Sequence, residues 1–189
     1  ADLSKNNLIK QYKTKYKEID LDELVLEKNY YNLIFSNFFI HLTSDFEDTI
    51  NRIHLSLKNN GLFVAAIPDI DSGKELIESM IKTDLKLYNG VYQRVNPTIE
   101  INDIIKVLKK INFDIPTINS ENILIEYSKF DRLLNDLRST NLTYCYFDKK
   151  KTFENKKYFN FVKKFYKKNN INNCYNLNIK INIITAWKK

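Results

Sequence analysis

Glycine is nearly missing from this chain of 189 residues, with three copies at Gly61, Gly73 and Gly90. Phosphate-cradling loops need glycine for tight turns and for close backbone approach. Neither GxGxxG nor GxxxxGKS/T occurs, so no such loop lies within these residues. Cysteine is scarcer still. Cys145 and Cys174 match no metal or redox spacing and read as reduced thiols, buried or partly buried. The two histidines, His41 and His54, cannot build a typical zinc site. Arginine occurs at four positions, Arg52, Arg94, Arg132 and Arg138, which disfavours a base-reading nucleic-acid surface. No apolar run approaches the roughly 20 residues of a transmembrane segment. No signal peptide opens the chain, so a reducing cytoplasm is the expected compartment.

What is present suits a folded protein. Hydrophobic residues make up 43% and aromatics 13%, too much for disorder. At this length a single domain spanning 1–189 is expected. The chain opens Ala1-Asp2 and its single methionine is Met80, so a segment is expected upstream. The formal net charge of +7 is unevenly placed, because residues 141–189 hold 12 basic and 2 acidic side chains. Lysine supplies this excess, at Lys149–Lys151, Lys156, Lys157, Lys163, Lys164, Lys167 and Lys168. The surplus of lysine, asparagine and isoleucine fits drift toward AT-rich codons. The basic segment therefore reads either as a solvated face or as a surface for an acidic protein partner.

The hydrophobic pattern alternates between helical and strand periods. Asn7 to Lys17 reads as a helix, and Leu33–Phe35 as a short strand buried on both faces. Ser44-Asp45-Phe46-Glu47 and Ser72 to Glu75 read as capping boxes. The helix behind the first carries Phe46, Ile50, Ile53 and Leu57, with His54 facing solvent, and Asn59-Asn60-Gly61 ends it. LFVAAI (62–67) is a second buried strand. The helix behind the second box turns Leu76, Ile77, Met80 and Ile81 inward. Further helices follow over 101–111, 128–138 and 154–168, with a strand over 122–127 between the first two. The last strand, 175–187, alternates Leu177, Ile179, Ile181 and Ile183 with Asn176, Asn178, Lys180 and Asn182, and reads as antiparallel with one wet face. The class is α/β.

In an open α/β sheet ligands sit beyond the carboxyl ends of the strands. That selects Ser36 to His41 and Pro68 to Asp71. His41 is either a ligand-facing ring or a loop histidine bonded to backbone. Asp136 and Arg138 share one short helix and could simply pair with other charges.

Several segments carry a resemblance. Tyr31-Asn32-Leu33-Ile34-Phe35-Ser36-Asn37-Phe38-Phe39-Ile40-His41 resembles the FDLVxSNxxLHW segment of class I S-adenosylmethionine (SAM)-dependent methyltransferases. Leu57-Lys58-Asn59-Asn60-Gly61-Leu62-Phe63 is similar to their LKPGG passage. Arg94-Val95-Asn96-Pro97, Asp103, Asn112-Phe113, Tyr127, Leu134 to Arg138 and Thr185 to Lys188 resemble one subfamily. Its members are bacterial proteins related to the mitochondrial complex I assembly factor and, more distantly, to the biotin-pathway carrier-protein methyltransferase. Departures include Asn32 for the usual Asp, Val25 for proline and Leu42 for tryptophan.

The resemblance implies a Rossmann-like sheet, mostly parallel with an antiparallel C-terminal strand, truncated at the N-terminus before its glycine-rich turn. It implies SAM as cofactor. Asp2 would grip the ribose hydroxyls, because a carboxylate accepts two hydrogen bonds. Asp20 would accept from the adenine amino group, with Leu3 and Leu21 flanking the ring. Ser36 and Asn37 would meet the methionine part. His41, Arg94, Tyr127 and Arg138 are the catalytic candidates. The implied activity is methyl transfer to a protein or a carrier-linked small acid. Two alternatives follow the same resemblance: a SAM-binding complex I assembly factor that hydroxylates protein, or a non-catalytic interaction protein. A carrier protein is an implied partner for the basic C-terminal segment.

Overall fold

The computed structural model describes residue 22 and residues 24–139, 154–168 and 174–189. The elements run β1 (Tyr31–Asn37), a 3-10 turn (Ile40–Leu42), α1 (Phe46–Ser56), β2 (Leu57–Pro68), α2 (Lys74–Tyr88) and α3 (Ile101–Lys110). They continue with β3 (Phe113–Tyr127), α4 (Phe130–Ser139), α5 (Lys156–Lys168) and β4 (Tyr175–Lys188). Four strands form one sheet in the order β1-β2-β4-β3. β1 and β2 pair in parallel, Ser36 opposite Ala65 and Asn37 opposite Ala66, as a strand–helix–strand crossover requires. β4 runs against its neighbours. The Asp69 and Gly73 N–H groups donate to the carbonyls of Lys180 and Asn178, so one segment advances as the other retreats. The expected antiparallel last strand is present, in an otherwise parallel sheet.

The chain divides into two compact units. The first comprises residues 1–67, 102–118 and 184–189. Its core is aliphatic, with Ile50, Ile53, Leu57, Ala65, Ile67, Ile104, Leu108 and Ile184 fully or almost fully buried around Phe63 and Phe113. The second comprises residues 68–101 and 119–183. Its core joins Leu76, Leu133, Val162 and Leu177 to Tyr127, Phe130, Tyr158, Tyr166 and Tyr175.

Several local expectations are corrected. β1 is not buried on both faces: Leu33 is 57% and Phe35 64% exposed. Among the described strands it lies at the edge of the sheet, and only the face bearing Ile34 and Ser36 turns inward. The cap of α1 is Asp45, whose carboxylate accepts from the Asp48 N–H at 2.9 Å. Ser44 is occupied elsewhere, giving its N–H and hydroxyl to the Asp22 carboxylate. The cap shifts one residue because an ionised acceptor outcompetes the helix for the serine. α2 opens instead on Gly73, whose φ of 66° suits glycine. Ser72 donates to the Lys180 carbonyl at 2.6 Å. Ile81 faces outward on α2. His54 is half-buried, edge-on to Phe113 at 4.8 Å. Asn59-Asn60-Gly61 lies within β2 and does not terminate α1. β3 starts at Phe113 and tolerates Pro116 because it is the other edge of the sheet. Asn182 is fully buried, and the buried phase of β4 switches from Tyr175 and Leu177 to Asn182, Ile184 and Ala186. β4 lies inside the sheet, so neither of its faces is simply wet.

Asparagine performs turns that glycine usually makes. Asn29, Asn60, Asn89 and Asn112 all have φ between 50° and 65°. Its short amide is better tolerated there than other side chains. Asn89 closes α2, and Asn112 follows α3.

Candidate functional site

In the first unit the carboxyl ends of β1 and β2 lie side by side. The strand geometry of β1 stops at Asn37. Phe38 takes a left-handed φ of 51° while its N–H still donates to the Ala66 carbonyl at 2.8 Å. A bulky residue in that region is strained. The kink leads into the 3-10 turn, closed by Thr43, whose hydroxyl donates to the Ile40 carbonyl at 2.9 Å. This places His41 in the interior, 4% exposed.

Two polar atoms at this strand end have no partner among the described residues: the Ser36 hydroxyl and His41 Nδ1, both buried. Leaving such a group unsatisfied costs about 1–3 kcal/mol. Burial pushes the His41 pKa down from 6.5 to about 4, so the ring is neutral at neutral pH. A neutral ring and a hydroxyl, both unsatisfied, suit a polar ligand. Asn37, beside them, is exposed. Below the turn, the Asp22 carboxylate holds Ser44, and Arg52 donates to the Asp22 and Leu24 carbonyls. The bonds from the Ser44 side chain and backbone hold the Asp22 pKa below the ordinary carboxylate value. This clasp fixes the chain that leads into β1.

The second unit holds two polar clusters. In the first, Arg94 forks onto the fully buried Asp84 through Nε (3.0 Å) and one terminal nitrogen (2.5 Å). Its other terminal nitrogen meets Glu154 at 2.7 Å, and Tyr88 donates to Glu154 at 2.5 Å. The guanidinium also lies 4.6 Å from the Tyr158 ring and 5.2 Å from that of Tyr92. Burial opposes its charge, but the bonds to Asp84 and Glu154 win and raise its pKa. The second cluster follows β2. Buried Asp69 accepts from the Asn182 amide at 2.8 Å and the Asp71 N–H at 3.1 Å, with Lys180 Nζ at 3.3 Å. Burial raises the Asp69 pKa, yet these bonds outweigh it and the net shift is downward. The Asn182 side-chain oxygen Oδ1 in turn accepts from the Ser120 hydroxyl at 2.6 Å.

The structure brings Ser36, Asn37 and His41 together on one strand end. Asp2, Leu3, Asp20 and Leu21 lie outside the described residues, as do Cys145 and the expected 7–17 helix. Arg94 is committed to two carboxylates. Tyr127 is buried, and burial together with its bond to Asp136 raises its pKa. Arg138 is exposed, donates to Asn135 at 3.3 Å and lies 5.8 Å from the Phe159 ring. The Asp22–Ser44 clasp and the Asp69–Asn182–Ser120 chain escape a reading of sequence, because their partners lie 22, 113 and 62 residues apart. Among the described residues no group of three His, Cys, Asp or Glu could hold a metal. No helix there is long and apolar enough to cross a membrane.

No protein-family model matches the chain. It is 30% identical over 114 residues to "Arginine-hydroxylase NDUFAF5, mitochondrial" of Dictyostelium discoideum, covering 60% of this chain and 26% of that one. It is 29% identical over 107 residues to "Malonyl-[acyl-carrier protein] O-methyltransferase 1" of Coxiella burnetii, covering 57% and 35%. The chain thus spans less than half the length of these curated relatives. Among solved structures, a candidate methyltransferase of Bacillus halodurans superposes with a TM-score of 0.58 at 9% identity, covering 92% of this chain and 77% of that one. That likeness concerns fold alone. In sequence the chain is thus similar to an arginine-hydroxylase and to a carrier-protein O-methyltransferase, and in fold to the Bacillus halodurans protein.

Proposed function

We propose that the chain is a SAM-dependent methyltransferase, or part of one, acting in the cytoplasm on a carrier-linked small acid or a protein side chain. The observation that carries this is the pair of unsatisfied buried atoms, Ser36 Oγ and His41 Nδ1, at the carboxyl end of β1. SAM supplies a methyl group already activated on a sulfonium, so the protein mainly has to align the acceptor. Asp2 holds the ribose hydroxyls, Asp20 the adenine amino group, and Leu3 and Leu21 the faces of the ring. Ser36 and Asn37 hold the methionine part, while His41 borders the acceptor. With its pKa near 4, His41 accepts a hydrogen bond but is a weak base. A carboxylate acceptor is ionised at neutral pH and needs no base. The neutral ring therefore favours a small acid, as in the name of the Coxiella relative.

Calorimetric titration of SAM into the folded chain tests the reading. Binding that weakens about tenfold in Asp2→Ala, and several-fold in Ser36→Ala, is expected from losing charged and neutral hydrogen bonds respectively. A folded chain that binds neither SAM nor S-adenosylhomocysteine would leave the non-catalytic reading in place. Similarity to the arginine-hydroxylase supports a second reading, oxygen insertion into a protein side chain. Mass spectrometry of treated acceptors separates the two: a gain of one methylene supports methyl transfer, and a gain of one oxygen the alternative.

A further inference from the structure

Two of the three glycines follow asparagine, at Asn60-Gly61 and Asn89-Gly90. This pairing carries a chemistry of its own. The main-chain nitrogen after an asparagine can attack the side-chain carbonyl carbon. Glycine hinders that attack least, because it has no Cβ and its backbone turns freely. Asn29 and Asn112 share the left-handed φ of these two asparagines, but Tyr30 and Phe113 follow them and screen the attacking nitrogen.

The two pairs sit in opposite surroundings. Asn60, with φ 61°, lies within β2. Gly61 beside it is buried, and so tightly held that a Cβ would meet the Lys58 carbonyl oxygen at 2.7 Å. Rotating the main chain toward a ring there would part the strand. Asn89 is the exposed C-cap of α2, with φ 53° and ψ 26°. Gly90 follows in an irregular bend, where a Cβ would meet nothing closer than the Tyr88 carbonyl oxygen at 3.9 Å. The Gly90 N–H makes no main-chain hydrogen bond among the described residues. Helix ends fray, so the rotation that closes the ring is within reach at Asn89.

We infer that Asn89 is a site of spontaneous deamidation, converted through a succinimide to aspartate and isoaspartate, while Asn60 is protected by its place in β2. The Gly90 nitrogen bonds to Asn89 Cγ, the Cγ–Nδ2 bond breaks, and the proton lost by Gly90 leaves with the side-chain nitrogen as ammonia. Water, the one co-reactant, then opens the ring at either carbonyl. The inference is independent of methyl transfer. Its consequence falls on the loop after α2. A carboxylate at residue 89 faces the negative end of the helix dipole, and isoaspartate adds a methylene to the main chain at the cap. Just beyond, the Tyr92 N–H is tethered to buried Asp84 at 3.1 Å, and Arg94 forks onto the same carboxylate. A changed cap bears directly on that tether.

Trypsin separates the two sites, leaving Asn60 in a peptide of residues 59–74 and Asn89 in one of residues 87–94. The whole folded chain is aged at neutral pH, beside a sample aged in urea, and both digests are followed by mass spectrometry. In the folded chain the mass gain of amide-to-acid exchange should accumulate several-fold faster in 87–94 than in 59–74, with isoaspartate the main product. In urea the two rates should converge. Gly90→Ala should slow the exchange in 87–94 several-fold and leave the thermal melt unchanged, because Gly90 is outside the left-handed region and a Cβ there has room. Three results overturn the inference: exchange in 87–94 no faster than in 59–74 in the folded chain, a rate that Gly90→Ala leaves unaltered, or exchange in 87–94 confined to urea.

Discussion

The two compact units are built on different chemistry. The first packs isoleucine and leucine from α1, α3 and β2 around Phe63, and its buried polar groups at the end of β1 are left open. The second packs tyrosines from α5 and β4 against α2 and α4, and threads its interior with charge: Asp84–Arg94–Glu154 and Asp69–Asn182–Ser120. In the first, the buried hydroxyls of Thr43, Thr49 and Ser56 bond only to nearby main chain, and no buried ion pair crosses the aliphatic core among the described residues. In the second, polarity is part of the scaffold. Unsatisfied buried atoms occur in both: Ser36 Oγ and His41 Nδ1 in the first unit, Tyr158 Oη, Asn176 Oδ1 and Asn178 Oδ1 in the second. A charged group in the second is first of all a fastener.

The strongest way to break this contrast is Arg94→Met. It would leave Asp84 and Glu154 buried without their cation, and breaking such a pair costs about 3–5 kcal/mol. Arg94→Lys should recover only part of this, because lysine cannot make the fork. Urea denaturation reads both, and a loss below about 1 kcal/mol would deny the cluster its role. For the first unit, Ile53→Ala should cost about 2–4 kcal/mol, whereas Phe35→Ser on the open sheet face should stay within about 0.5 kcal/mol. Equal effects would mean that face is covered in solution.

The pH dependence sharpens the comparison further. The folded His41 pKa lies below its unfolded value, so between 6.5 and about 4 the unfolded chain takes up a proton the folded one refuses. Its contribution is complete above 6.5 and fades on acidification, by about 1 kcal/mol per pH unit. Chemical denaturation of His41→Gln across that range should lack this slope. The smallest effect is expected at the start of α1, where Asp45→Ala should cost about 1 kcal/mol. Thermal melts of Asp45→Ala and of Glu47→Ala would decide between the observed cap and the capping-box alternative, in which Glu47 would matter as much.

What was legible in the sequence follows the same division. Periodicity found the five α-helices and part of each strand, because Ile50/Ile53, Ile104/Leu108 and LFVAAI declare themselves within a few residues, but it read β3 only from 122 and gave 57–61 to the end of α1. It also pointed to Ser36 through His41, where the apolar run of β1 meets a helix start. It misjudged Leu33 and Phe35, since an apolar run reads alike at a sheet edge and at its centre. Both capping boxes failed for a long-range reason. Ser44 answers to Asp22 and Ser72 to the Lys180 carbonyl, partners no local pattern announces. Nothing near Arg94 in sequence shows its partner Glu154, 60 residues on.

The asparagines at Asn29, Asn60, Asn89 and Asn112 have a consequence at the level of the gene. Where a left-handed turn accepts either residue, a lineage losing G and C can exchange one codon for another without moving a single helix or strand. Gly61 marks the limit of that freedom: a Cβ there would meet the Lys58 carbonyl oxygen at 2.7 Å. Nucleotide bias has room to rewrite the bends of this protein, and stops where two stretches of main chain come too close for any side chain at all.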